Sequence, residues 1–590
     1  MILIANSLYA NAAAGFDASR QQPLVVDGNS PLLHDSVKFG SNGGDAPSPF
    51  DDTFRTLVAD TLKAWHVPGV AVAVIDGDHT WSEGFGTAIY PDTAVTPDTL
   101  FYTASTTKAF VAAALSLMVE SGNYSVGDAS KGETLDWTTP LSTILPDDFV
   151  VGSEYVRDDY SHDDTVTDRD HAWATSRLTV EDALSHRSGF AAHDLSRSRR
   201  YGLSSGSNGR NATVRDVTRS LRYLPLLTSP RTEWRYCNLM YLVLSHAVET
   251  LTGGRWLGDI LHDWLWAPLG MTSTFLSLDD ARAAANVLAQ GYYYDVEQKD
   301  YIGVPHMPLE EVSGAGGIIS SVNDYVRWLR CWIDGPAISG DSNSTADACG
   351  GIPFQRPGLD AILAPKMFLD HSSSSPAPFD TPMAAFGAEV YFFPDDRFGV
   401  VLFGNTADTS NVAELILLWH LASERFGIPA DERYDWDARF RRSDKARVAR
   451  IDGALDRLYP DRVQPPKPPS LSLADYTGTY HHPAYQNMTI QLADEDDYSA
   501  GNKNYEVTFT AERRDHTWPT LCEFVHVSGE HWLLYTDMLY ERSGNFKSYG
   551  RAWFDVGADG KAHTLVVEFW NAADDTLEGS IPFKRVDEAT

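Results

Sequence analysis

Eleven residues, "PDRVQPPKPPS" at 460–470, constrain the fold of this chain more than any other stretch. Five of them are proline, which fixes φ and lacks a backbone N–H, so neither a helix nor an inner strand can run through. The 590-residue chain therefore divides here, and its length already calls for two or more cores. The two sides read differently. Beyond the break, "YTGTYHHPAYQNMTIQL", "YEVTFTA", "HWLLYTDM" and "HTLVVEFWN" are short alternating segments between turn signals, which predicts a small antiparallel barrel or sandwich over 471–590. Its aromatics Tyr476, Tyr480, Tyr485, Trp518 and Trp532 allow a ligand- or partner-binding face, although aromatics at strand spacing more often form a core.

On the other side, residues 1–50 contain a Gly-, Pro- and Ser-rich stretch without periodicity and read as a loose arm. In "FDDTFRTLVADTLKAWHVPG", Phe54, Leu57, Val58, Leu62 and Trp65 recur at three- and four-residue steps, predicting a helix stopped by Pro68-Gly69. "VAVAVIDGDHTWSEGFG" reads as a hairpin broken at Asp76-Gly77. Helical patterning dominates 178–335, and strands return in "GAEVYFFPDDRFGVVLFGN" at 387–405. A charged helical stretch, 434–459, leads into the proline run.

Charge and cysteine content narrow the function. The net charge of −34 is spread along the chain and repels nucleic acid and anionic membranes, favouring a small-molecule or peptide substrate. No apolar run reaches the roughly 18 residues of a membrane span. The four cysteines make no metal motif, and Cys331 and Cys349 can be read as a pair or as free thiols. The acidic loop 158–171, "DDYSHDDTVTDRDH", has no fixed ligand spacing and reads as solvated rather than as a metal site. "MILIANSLYANAAAGF" ends in an Ala-x-Ala-like stretch but has no Lys or Arg before Arg20. With sequons at Asn123, Asn211, Asn343 and Asn487 it tilts localisation toward secretion without fixing it, and oligomeric state stays open.

One Ser-x-x-Lys occurs, in "FYTASTTKAF": Ser105 and Lys108. Residues three apart share a helix face with Cβ atoms about 5–6 Å apart, so the amine can reach Oγ. At a helix start the positive dipole end and burial both lower a lysine pKa toward that of a general base. The Ser105 N–H could also donate to an oxyanion. Equally, Thr103 or Ser105 could cap the helix while Lys108 is solvated.

The surrounding motifs carry a resemblance. "VPGVAVAVIDGD" and "DTLFYTASTTKAF", then "LTVEDALSHRSGF", "EWRYCNLMYLVLSHAVETLTG", "APLGMTSTFL", "GAGGIISSVNDYVRWL" and "FGAEVYFFPDDRFGVVLFGN" follow in order over roughly 51–428. As a set they resemble the class C β-lactamase and penicillin-binding-protein family, serine hydrolases that include D-aminopeptidases, carboxylesterases and some acyltransferases. The resemblance implies an α/β (α+β) transpeptidase-like domain, with an antiparallel sheet flanked by helices and a helical lobe. A charged helix and proline linker over 429–470 and a lipocalin-like β domain over 471–590 would follow. It makes Ser105 the nucleophile, Lys108 and Tyr236 its proton-transfer partners, and Asn238 a holder of Lys108 and substrate, with no metal or organic cofactor. Tyr-x-Asn also occurs at Tyr9 and Tyr485, but only Tyr236 follows the Ser-x-x-Lys in family order. A capping asparagine and a core tyrosine remain the plain alternative at 236–238.

The sequence departs from the family at its third motif, Lys-Thr-Gly or His-x-Gly on a strand edge. Phe379-Asp380-Thr381 stand in that place, and neither Lys-x-Gly nor His-x-Gly occurs after Tyr236. The nearest cations are Lys366 and His371. Three functions are therefore carried forward: an active hydrolase or acyltransferase, a catalytically impaired binder of acyl or peptide ligands, and a binding protein led by the C-terminal β domain. An ester, amide or peptide bond suits the first better than a β-lactam, whose carboxylate would need the missing cation.

Overall fold

A computed structural model describes residues 47–586, apart from 129, 131, 153, 155–165, 202–208, 309, 336–347, 365, 367–384, 494–505, 542–543, 545 and 572–575. Helix α1 (Asp52–Ala64) is capped by the Asp51 side chain and buries Phe54, Val58 and Leu62. It leads into β1 (Gly69–Asp76) and β2 (His79–Ile89), a hairpin turning at Gly77 with φ 56°. With β3 (Thr93–Ala94), β4 (Gly387–Phe393) and β5 (Phe398–Gly404) these form one antiparallel sheet in the order β4-β5-β1-β2-β3.

Strand β1 is apolar at nearly every position because both sheet faces are covered. Val70, Val72 and Val74 pack with α1 and with α6 (Thr409–Arg425), while Ala71, Ala73 and Ile75 join the main core. On that second side stand α2 (Thr107–Ser121), α3 (Asn238–Leu251) and α5 (Val322–Asp334), with the short α4 (Ser313–Gly316) between them. Helices α2 and α3 are apolar almost all round, as helices enclosed by others must be. A disulfide joins Cys331 of α5 to Cys349.

After α7 (Trp436–Asp452) and the proline run comes a closed antiparallel barrel of eight strands in sequence order, β6 to β13, from Gly478 to Arg585. Tyr476, Tyr480, Tyr485 and Trp532 are buried in a packed core with Phe509, Phe554 and Phe583. They form no exposed binding face, which corrects that reading: a closed small barrel fills its interior with side chains. Trp532 and Leu534 belong to the main core, whereas Leu533 and Tyr535 pack against Ile451, Ala454 and Leu458 of the charged linker. Among the described residues no helix is long and apolar enough to cross a membrane.

Candidate active site

Ser105 lies where a strand becomes a helix. Phe101–Tyr102 pairs with Ile319–Ser320, the chain turns through a 3₁₀ segment at Ala104–Thr106, and α2 begins at Thr107. Ala104 has φ 48°, a left-handed conformation that costs a non-glycine residue roughly 1–2 kcal/mol. The flanking threonines hold this turn. Thr103 donates from N–H and Oγ1 to the Ile318 carbonyl, at 2.8 and 3.2 Å. The Ile318 N–H donates to Thr107 Oγ1 at 3.1 Å, and the buried Tyr325 hydroxyl lies 2.8 Å from Thr103 Oγ1 and 2.6 Å from Thr106 Oγ1. Neither Thr103 nor Thr106 makes a side-chain helix cap.

Lys108 is 5% exposed, which excludes a solvated lysine. Its Nζ lies 2.8 Å from Asn238 Oδ1, 2.5 Å from the Ala315 carbonyl oxygen and 3.1 Å from Ser105 Oγ. Burial first, and then the neighbouring Arg197 cation, push the amine well below the ordinary lysine range, against opposing effects of Asp194 and Cys237. A neutral amine has two N–H donors. Spent on Asn238 and Ala315, they leave the nitrogen lone pair directed at Ser105 Oγ. Tyr236 OH lies 2.5 Å from the same Oγ, and the ammonium form of Lys108 would stand 4.9 Å from the Tyr236 ring centroid.

Two backbone elements aim these groups. The turn within "LTVEDALSHRSGF" places His186, φ 57°, with its ring 4.4 Å from that of Tyr236 and its Nδ1 accepting from the Cys237 N–H at 3.1 Å. Burial holds this imidazole neutral, as an acceptor must be. The glycines of "GAGG" let α4 approach α2 and α3 closely enough to present the Ala315 carbonyl, since a Cβ on Gly314 would overlap Ser245 Oγ. Tyr236 and Asn238 thus meet Ser105 and Lys108 in one cluster, with Asn238 opening α3.

Comparison with known proteins identifies the family. The family described as Beta-lactamase matches residues 50–424, and a Domain of unknown function (DUF3471) matches 462–583. The chain belongs to the Beta-lactamase family. It is 37% identical to an unguisins hydrolase of Aspergillus campestris over 498 residues, covering 83% of this chain and 85% of that one. Another unguisins hydrolase, from Aspergillus violaceofuscus, is 34% identical over 83% and 84% of the two chains. Among solved structures, the D-amino acid amidase of Ochrobactrum anthropi covers 64% of this chain and 98% of its own, at 18% identity and a TM-score of 0.42. The protein is accordingly a serine hydrolase of the Beta-lactamase family with a C-terminal closed barrel.

Within this family frame, the third motif is the point of departure. Strand β4 is one of the two edge strands of its sheet among the described residues. Phe386, just before it, packs on Tyr102 with ring centroids 5.0 Å apart, close to the nucleophile turn. Phe379-Asp380-Thr381 and His371 lie outside the described residues. Lys366 is committed elsewhere, in an ion pair with Glu181 at 3.2 Å.

Four contributors escaped the sequence reading: His186, Asp194, Arg197 and the Ala315 carbonyl. The last is backbone and carries no residue-type signal. Asp194 and Arg197 lie in "AAHDLSRSRR", which no spacing rule marks, yet Asn238 Nδ2 donates to Asp194 Oδ1 at 3.1 Å and Arg197 Nη2 does so at 2.6 Å.

Proposed function

We propose that the protein hydrolyses an ester, amide or peptide bond through an acyl-enzyme on Ser105. Lys108 takes the Ser105 Oγ proton as Oγ attacks the carbonyl carbon. The tetrahedral intermediate then collapses, breaking the bond to the leaving group, which receives a proton through Tyr236. Water attacks the resulting ester, gives up its proton along the same path, and releases the acid and free Ser105. Asn238 orients Lys108 and the substrate's carbonyl side. The observation carrying this reading is the convergence on Ser105 Oγ of a buried Lys108 amine at 3.1 Å and the Tyr236 hydroxyl at 2.5 Å. The unguisins hydrolases, similar over more than four fifths of both chains, make an unguisin the first substrate to try.

The missing Lys-x-Gly or His-x-Gly favours a second reading, an impaired member that acylates without turnover. Losing one oxyanion donor typically costs about 10²–10³ in rate. Intact mass after incubation with a fluorophosphonate and with a penicillin separates them, alongside a Ser105→Ala control. The expected result is a fluorophosphonate adduct on the wild type alone, with hydrolysis of esters or peptides to follow. An adduct without turnover of any acyl substrate identifies the impaired form, and no adduct on a folded wild type sinks both readings.

A further inference from the structure

The segment 193–200 is gripped on two sides. On its inner side, Asp194 Oδ1 accepts from Asn238 Nδ2 and from Arg197, linking it through one amide to Lys108. On its outer side stands the loop between the third and fourth barrel strands, Val507–Arg513 and Thr520–Ser528. The Thr517 N–H donates to the Arg197 carbonyl at 2.9 Å, and the Arg199 N–H donates to the Asp515 carbonyl at 2.7 Å. Ser198 and His516 form an antiparallel bridge. The Arg197 guanidinium, whose residue is 3% exposed, lies 5.8 Å from the Trp518 ring centroid. The same loop reaches the opposite support of Lys108, since Thr517 Oγ1 donates to Glu311 Oε1 at 2.9 Å, just before the helix that presents the Ala315 carbonyl.

We propose that Asp194 and Arg197 are positioning residues for the Asn238–Lys108 pair and that barrel residues 515–518 hold them in place, making the barrel part of the hydrolytic unit. This rests on the reading of Ser105 as nucleophile. A guanidinium pinned between a carboxylate and an indole face is pre-organised, and it fixes the Asp194 carboxylate that orients the Asn238 amide. The charged and titratable groups facing Lys108 are Asp194 and Arg197 from this loop, His186 from the preceding turn, Tyr236 and Cys237 before α3, and Tyr241 on α3. Removing the Arg197 cation makes Lys108 hold its proton more firmly, whereas removing the Asp194 anion does the opposite.

The test is the rate of fluorophosphonate labelling of the full chain against pH, by intact mass, for wild type, Ser105→Ala, Arg197→Met, Arg197→Lys, Asp194→Asn and Trp518→Ala. Arg197→Met and Asp194→Asn are each expected to label about 10²-fold more slowly, the order of loss that a small misplacement brings. The acidic limb should move to higher pH in Arg197→Met and to lower pH in Asp194→Asn. Arg197→Lys should return the limb toward wild type, and Trp518→Ala should shift it as Arg197→Met does, with no further loss when the two are combined. Wild-type labelling in a folded Arg197→Met protein overturns the proposal, and so does a uniform loss with both limbs unmoved, the mark of a merely structural role. Should Arg197→Met fail to fold, an unmoved limb in Trp518→Ala overturns it instead. A wild type that labels no faster than Ser105→Ala refutes the nucleophile assignment itself, and the proposal falls with it.

Discussion

Lys108 is the residue on which the site turns, and its environment sets two measurable consequences. Replacing Ser105 by Ala should abolish labelling, and Lys108→Met should lower the labelling rate by about 10²–10⁴, the range for loss of a positioned base. The stability of the two proteins should also diverge with pH. The native Lys108 amine holds its proton less well than an unfolded lysine, so between the two pKa values the unfolded wild type binds more protons. Wild-type stability relative to Lys108→Met should therefore rise with pH up to the ordinary lysine range, as urea titrations at pH 7 and 9 would reveal. A flat difference would mean that the buried amine is an ordinary ammonium.

At the scale of elements, the geometry depends on close packing of α2, α3 and α4. Gly314→Ala would push a Cβ into Ser245 Oγ and toward the Tyr241 carbonyl of α3. Overpacking of this kind typically costs 1–3 kcal/mol. It should also move the Ala315 carbonyl off Lys108, so that a lower melting temperature comes with slower labelling of Ser105. Wild-type melting and labelling together would show that α4 has room to spare. The disulfide on α5 is a separate matter: it closes a loop of sequence separation 18, for which chain entropy gives roughly 3 kcal/mol. Cys331→Ser with Cys349→Ser should therefore lower stability by about that amount while leaving the labelling rate per folded molecule unchanged.

Across the whole molecule, buried histidines lie at or beside the seam between lobe and barrel. Burial pushes His193 down to about 4 and His482 down to about 3, and it holds His516 well below the ordinary imidazole range. His193 Nδ1 lies 2.9 Å from the Tyr485 hydroxyl of the barrel. Below the unfolded value of about 6.5 the unfolded chain takes up protons that the native seam refuses, so stability falls as pH falls toward these native values. For His193 and His482 the loss between pH 7 and 5 should be about 2 kcal/mol each. Denaturant midpoints at the two pH values, with His193→Gln as comparison, measure it. An equal midpoint at both would remove the seam as the acid-sensitive element.

Much of this was legible in local patterns. The helix at 52–64, the hairpin at 69–89 and the β character beyond the proline run all follow from periodicity and turn chemistry, which act over a few residues. That Ser105, Lys108, Tyr236 and Asn238 would meet was legible because their side chains are the reactive types in a recognisable order. What packs against them was not. The Ala315 carbonyl has no side-chain signature, and the Asp194–Arg197 pair sits in a loop whose spacing matches no rule. Sequence determined which groups could do chemistry, because that is a property of single residues and their near neighbours. Only the tertiary structure decided which backbone oxygens, distant charges and barrel residues surround Lys108, because burial and contact arise between segments hundreds of residues apart.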